Sequence, residues 1–121
     1  AMYDEDEVTD QNMREIAKEI IREKILRLTQ DEIPHSVAVK IDLFEEKKTL
    51  TKISATIFVE QDSQKLIVVG KQGQMIKKIG EYARVELENM IGRKVFLELF
   101  VKVKKNWRKR QDNLKNLGYN N

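Results

Sequence analysis

The stretch VVGKQGQMIKKIG, residues 68 to 80, sets two glycines three positions apart between an apolar run and a basic stretch of helical period. A Gly-x-x-Gly step obliges the chain to leave one element and enter the next within four residues, with no β-carbon at either corner. Ahead of it, Asp62-Ser63 offers a capping signal, and Leu66, Ile67, Val68 and Val69 form a short apolar run ending at Gly70. Periodicity alone does not separate strand from helix over so few residues. The cap before and the glycine after favour two helical turns closed by a left-handed Gly70, against the β-branched content. Beyond Gln74, the residues Ile76, Ile79, Ala83, Leu87, Met90 and Ile91 form one helical stripe. Within it Gly80 lets a neighbour approach closely, and Gly92 marks the stop.

The elements around this step follow from two periods. Met13, Ile16, Ala17, Ile20, Ile21, Ile25 and Leu28 recur at helical spacing after a possible cap at Thr9 or Asp10. Pro34 biases Ile33 away from helical angles, so this helix is expected to end around residues 29–31. In SVAVKIDLFE, Val37, Val39, Ile41 and Leu43 alternate with Ala38, Lys40, Asp42 and Phe44, which predicts a strand with the first set inward. TKISATIFVE repeats the alternation with Ile53, Ala55, Ile57 and Val59, and the polar connector makes the two a hairpin. KVFLELFVKVK turns Val95, Leu97, Leu99, Val101 and Val103 inward as a third strand. A helical crossover makes it parallel to the second, with right-handed connection placing the helices on one face. The expected fold is α+β, a three-stranded mixed sheet covered on one face by helices, in the order α-β-β-α-α-β, followed by a C-terminal helix capped by Asn106.

Length and charge narrow the classes. A chain of 121 residues is one domain's worth. We divide it into an acidic leader over 1–10 and a folded domain over 11–121. Ala1-Met2 reads as a pair appended ahead of the natural segment, so an upstream extension is expected. No window has the apolar length of a membrane span, and no signal peptide is recognisable. The lack of cysteine excludes disulfides, thiol catalysis and zinc–thiolate sites. Net charge is +3, yet its signs are sorted: Asp4, Glu5, Asp6, Glu7 and Asp10 precede any base, whereas Lys102, Lys104, Lys105, Arg108, Lys109, Arg110 and Lys115 crowd the end. That end should attract polyanions or be simply a solvated face. His35, the sole histidine, lacks partners for a metal site or dyad and reads as a loop residue. The early acids read as a solvated linker. No nucleophile–base pair, metal cluster or cofactor motif is found, so the chain is expected not to be an enzyme.

The glycine step fits neither nucleotide motif. A P-loop needs four residues between its glycines and then Lys-Ser or Lys-Thr, and the dinucleotide fingerprint needs other spacings after a parallel strand. What remains is Gly-Lys-Gln-Gly between two helices, with unbonded amides at the second helix's start, Lys71 beside them, and Lys65, Lys77 and Lys78 flanking. This is a site for phosphates or a glycine-capped turn. Placed between two helices, with strands before and after, the step has the KH signature, whose loop clamps the backbone of about four nucleotides.

The chain also resembles a family. TDQNMREIAKEIIREKILRLTQDEIPHSVAV, SQKLIVVGKQGQMIKKIGEYAR, FLELFVKVKKNWR and LKNLGY are similar to the C-terminal, type II KH domain of Era-type bacterial GTPases, from Thr9 to Tyr119. The resemblance implies a module that binds single-stranded RNA near the 3′ end of small-subunit ribosomal RNA, acts in assembly of the small ribosomal subunit, and works beside a GTPase domain of the same longer chain. It implies a cytoplasmic location, with weak peripheral contact at the inner face of the membrane. Carried over, Gly70, Lys71, Gln72 and Gly73 form the clamp. The family often has a third glycine where this chain has Gln72. The expected RNA-binding set is Lys65, Gly70, Lys71, Gln72, Gly73, Gln74, Met75 and Lys78, with Lys105, Arg108 and Lys109 as a secondary basic surface. Ile67, Val69 and Ile76 are candidates for base contact or for the core, and Trp107 for stacking or for anchoring the last helix. The competing expectation is a module docking on a protein or membrane surface through that basic helix.

Overall fold

A computed structural model describes residues 10–30, 33 and 37–105, the side chains of Asp10 and Gln11 excepted. Helix α1 (Asp10–Leu28) leads into strands β1 (Ala38–Glu46) and β2 (Thr51–Val59), helix α2 (Asp62–Val69), a 3-10 turn (Lys71–Gly73), helix α3 (Gln74–Ile91) and strand β3 (Val95–Val103). Thr9, Pro34, His35, the acids at 4 to 7 and the last helix expected from Asn106 lie outside the described residues. The sheet runs β1-β2-β3, with β1 antiparallel to β2 and β2 parallel to β3. The helical crossover therefore has the consequence its length requires.

The core lies between the sheet and the helices. Ala17, Ile20, Ile21 and Ile25 of α1 meet Ile53, Ala55, Ile57 and Val59 of β2, Val68 of α2, and Ile79, Ala83 and Leu87 of α3. A central strand has both edges paired, and Thr51, Ser54 and Thr56 of β2 are buried as well. The end of α1 tightens at Thr29, whose N–H and hydroxyl both donate to the Ile25 carbonyl, and Gln30 turns out at φ 50°. Lys24, inside the apolar stripe yet buried, bonds Glu23 and reaches across to Glu86 of α3. Those hydrogen bonds, to Glu23 first, raise its pKa above the ordinary lysine value against the opposing effect of burial.

One alternation breaks. The pairing shifts between Ile41 and Leu43, leaving Asp42 as the extra residue of a bulge, with the Thr56 hydroxyl donating to its carboxylate at 2.6 Å. A bulge inverts the facing of every residue after it. Phe44, expected outward, is therefore buried opposite Ile53, and Leu43, expected inward, pairs with Ser54 on the far side. The free edge of β1 is partly engaged from α1: Arg22 donates to the Val37 carbonyl at 3.1 Å and Arg14 to that of Ile41 at 3.5 Å. At the hairpin, Lys47 N–H donates to the Leu50 carbonyl, and Arg93 secures the turn by donating to the carbonyls of Lys47 and Lys48.

Candidate nucleic-acid interface

The glycine step joins α2 to α3. The Gln64 side chain accepts the N–H groups of Glu60 and Gln61, so the first turn of α2 is held from Gln61 rather than from Asp62 or Ser63. At its other end the Gly70 N–H donates to the Leu66 carbonyl at 2.8 Å. Gly70 then takes φ 77° and ψ 172°, not the left-handed helical cap expected for it. That combination belongs to a region populated essentially by glycine alone. A β-carbon there would lie 2.6 Å from Met75 Cβ and 2.7 Å from Met75 N, so the start of α3 occupies the space a side chain needs.

Lys71, Gln72 and Gly73 make a single 3-10 turn, closed where Gly73 N–H donates to the Gly70 carbonyl at 3.1 Å. Gln72 has φ 56° and ψ 27°, a left-handed residue with a side chain. A glycine at this position would take these angles without strain. Gly73 is left-handed too, at φ 75° and ψ 14°, and open space surrounds the place where its β-carbon would be. The two glycines thus differ: the first is required by packing and angle, the second by angle alone. Lys71, Gln72 and Gln74 are exposed, so the loop presents one cation to solvent at the N-terminus of an 18-residue helix, while two of the amides expected to be unbonded are engaged, Gly73 N–H on the Gly70 carbonyl and Gln74 N–H on that of Lys71. The dipole of such a helix favours an anion there.

Beside the loop runs an open groove of about 340 Å³ between α3 and β3, lined by Ile76, Gly80, Leu97 and Leu99, with Lys77, Glu81 and Arg84 at its rim. A β-carbon at Gly80 would make only ordinary contact with Leu99 Cδ1, at 3.7 Å, so helix and strand face each other over an apolar floor without requiring the glycine. Leu97 and Leu99 alternate inward as expected but remain half-buried, because β3 is a sheet edge. Sequence reading assigned them to the core alone. Their spacing carries no signal that separates them from core residues; the place of β3 at the sheet edge does. Arg84 also bridges to Glu88 at 3.1 Å. Glu88 accepts the Val95 N–H at 3.0 Å, fixing the first residue of β3 to α3. That backbone bond, followed by Arg84, holds the Glu88 carboxyl below its ordinary range.

Of the residues named from sequence, Gly70, Lys71, Gln72, Gly73 and Gln74 form the loop, and Met75 is half-buried against Gly70 and the core. Ile76 reaches the groove, while Ile67 and Val69 are half-buried, Ile67 against the core. Lys65 and Lys78 stand exposed on α2 and α3, outside the groove's lining, whose cations are Lys77 and Arg84. Lys105 is exposed beside Glu60, Gln61, Asp62 and Ser63. Arg108, Lys109 and Trp107 lie outside the described residues. Among the described residues no group of three or more histidine, aspartate or glutamate side chains is arranged to hold a metal ion, and no helix is long and apolar enough to cross a membrane.

A family model described as KH domain matches residues 32–108, more than half of the chain. The chain belongs to the KH domain family. The glycine step lies well inside the matched span. This KH domain is 53% identical over 119 residues to the GTPase Era of Geobacter metallireducens, across 97% of the chain and 40% of that relative. Its fold superposes with a TM-score of 0.81, at 42% identity, on a crystal structure of an Aquifex aeolicus Era variant bound to GDP.AlF4−. The same values hold for a crystal structure of Era in complex with MgGDPNP and nucleotides 1506–1542 of 16S ribosomal RNA. In each, 98% of the chain is covered and 40% of the solved chain. The resemblance read from the sequence, to the KH domain of Era-type GTPases, is borne out, and the chain spans about two fifths of the length of these relatives.

Proposed function

We propose that this KH domain binds single-stranded RNA, gripping the sugar–phosphate backbone at Gly70–Gly73 and receiving bases in the groove between α3 and β3. The observation that carries the reading is a cation-bearing glycine turn, exposed at a helix N-terminus and next to an apolar, open-ended groove. Phosphates gain from the helix dipole and from Lys71. Bases need an apolar trough reached from the same point, and a base stacked inside a duplex cannot enter one. That the similar Era was solved with a segment of 16S ribosomal RNA supports small-subunit ribosomal RNA as the natural ligand, near its 3′ end.

The reading extends to the longer relatives. The chain acts as the non-catalytic, RNA-binding part of an Era-type GTPase, without a cofactor of its own, in assembly of the small ribosomal subunit in the cytoplasm. Lys65, Lys78 and Lys105, exposed beyond the groove, add unspecific attraction along the path of the strand.

The test is a titration of this chain with short single-stranded RNA, the matching DNA and duplex RNA, side by side. Single-stranded RNA should bind well above the duplex, and equal affinity for the duplex would refute the groove's role.

A further inference from the structure

The side chains of β3 alternate, so the strand that gives Leu97 and Leu99 to the groove gives Phe96, Glu98, Phe100 and Lys102 to the opposite sheet face. Phe96 and Phe100 are 48% and 51% exposed, which places two large apolar rings on one exposed face. They sit four residues apart, about 13 Å along the strand. Between them Glu98 accepts the Ser54 hydroxyl at 2.9 Å and lies 3.9 Å from Lys52 Nζ. That ammonium is also 5.8 Å from the centre of the Phe96 ring. Lys102, exposed, follows two positions after Phe100 on the same face. None of these groups has a part in the glycine loop or its groove.

We infer that this face is a second stacking surface for single-stranded RNA, on which bases adjoining the clamped segment lie against Phe96 and Phe100 while Lys52 and Lys102 meet the phosphates. The inference rests on the RNA reading above, and two features of β3 argue for it. Continuity is the first: β3 is the sheet's edge, so a strand leaving the groove over Leu97 and Leu99 crosses the width of one β-strand to reach the rings. Chemistry is the second. A protein partner is best served by a contiguous apolar centre depleted of charge. Here a carboxylate separates the rings and lysines flank them, whereas isolated aromatic rings set among cations suit successive bases of an unpaired strand. Glu98 opposes phosphate approach, but Ser54 and Lys52 engage it, which keeps the phosphates to the two ends.

The experiment compares the chain with its Phe96→Ala/Phe100→Ala variant on two single-stranded RNAs. One has about four nucleotides, enough for the clamp alone, and one about ten. Affinity for the short RNA should stay within twofold, and affinity for the long one should fall at least about fivefold. Phe96→Tyr/Phe100→Tyr, which keeps the rings, should retain it. Should the alanine variant melt early, Phe96→Leu/Phe100→Leu keeps the apolar volume without a ring and should show the same loss. Unchanged binding of the long RNA by the alanine or leucine variant overturns the inference. So does sedimentation showing that the chain pairs with a second copy through these rings. A wild-type chain that binds neither RNA contradicts instead the clamp reading on which this one rests.

Discussion

Replacing Gly70 by alanine should destabilise the fold far more than the same change at Gly73, although the two glycines stand in one loop. The new β-carbon at position 70 would meet Met75 Cβ at 2.6 Å and Met75 N at 2.7 Å. Neither is the free end of a side chain, so relief requires moving the first turn of α3. The residue is also held at φ 77° and ψ 172°, where an L-residue is strained by about 1–3 kcal/mol. Overpacking adds a comparable cost, roughly 1–3 kcal/mol. The smaller entropy of the unfolded alanine chain offsets only about 0.4–1 kcal/mol. A net loss of about 2–4 kcal/mol follows, and a fall in Tm of roughly 10 °C for a chain of this size. At Gly73 nothing lies within 4 Å of the added carbon, so only the left-handed angle counts, at about 1 kcal/mol. Urea titrations and thermal melts of both variants, followed by circular dichroism, give the comparison. Equal losses, or a Gly70→Ala variant within 0.5 kcal/mol of wild type, would refute the packing argument.

Gly80→Ala should behave in the opposite way: its β-carbon makes ordinary contact with Leu99 at 3.7 Å inside a helix, so stability should rise by up to about 1 kcal/mol, read as a higher Tm. If bases enter the groove, the same variant should bind RNA less well, because the floor is narrowed. Stability should depend on pH at both ends. The folded Glu88 carboxyl is held below its ordinary value of 4.5, so its contribution is complete above that pH and is lost as pH falls through the folded pKa; Glu88→Gln should flatten that acid limb in urea titrations. Lys24 is raised above 10.5, so its contribution is complete below that pH and is lost as pH rises through the folded pKa, a limb that Lys24→Met should remove. RNA affinity should fall with salt, each neutralised phosphate adding about −0.7 to the log–log slope, and a flat series would count against phosphate gripping.

Periods of two and of 3.6 carried most of the fold, since a buried stripe such as Ile79, Ala83 and Leu87 is written directly in the spacing. The parallel pairing of β2 and β3 followed from the length of the crossover. Asp42 was not legible as a bulge: nothing in the alternation of β1 marks the extra residue, and its partner Thr56 lies across the sheet. The burial of Lys24 was not legible either, because its partner Glu86 lies on another helix. In the loop, the glycine spacing located the turn but not the angles. Gly70 departs from a helical cap because Met75 packs against it, a contact that exists only once α3 is in place. The groove was half legible for a related reason. Leu97 and Leu99 have the pattern of core residues, and only the order of strands, with β3 at the edge, leaves them open to a ligand.

The clamp itself is tested most directly by the Lys71→Asp/Gln72→Asp variant, titrated with single-stranded RNA beside the wild-type chain. Both side chains are exposed, and aspartate tolerates the left-handed angles of position 72, so the melting temperature should stay nearly constant. Loss of the lysine and gain of two carboxylates at the phosphate site should weaken binding more than about tenfold. An unchanged affinity in a variant that melts like wild type would contradict the assignment of Gly70–Gly73 as the RNA-gripping loop.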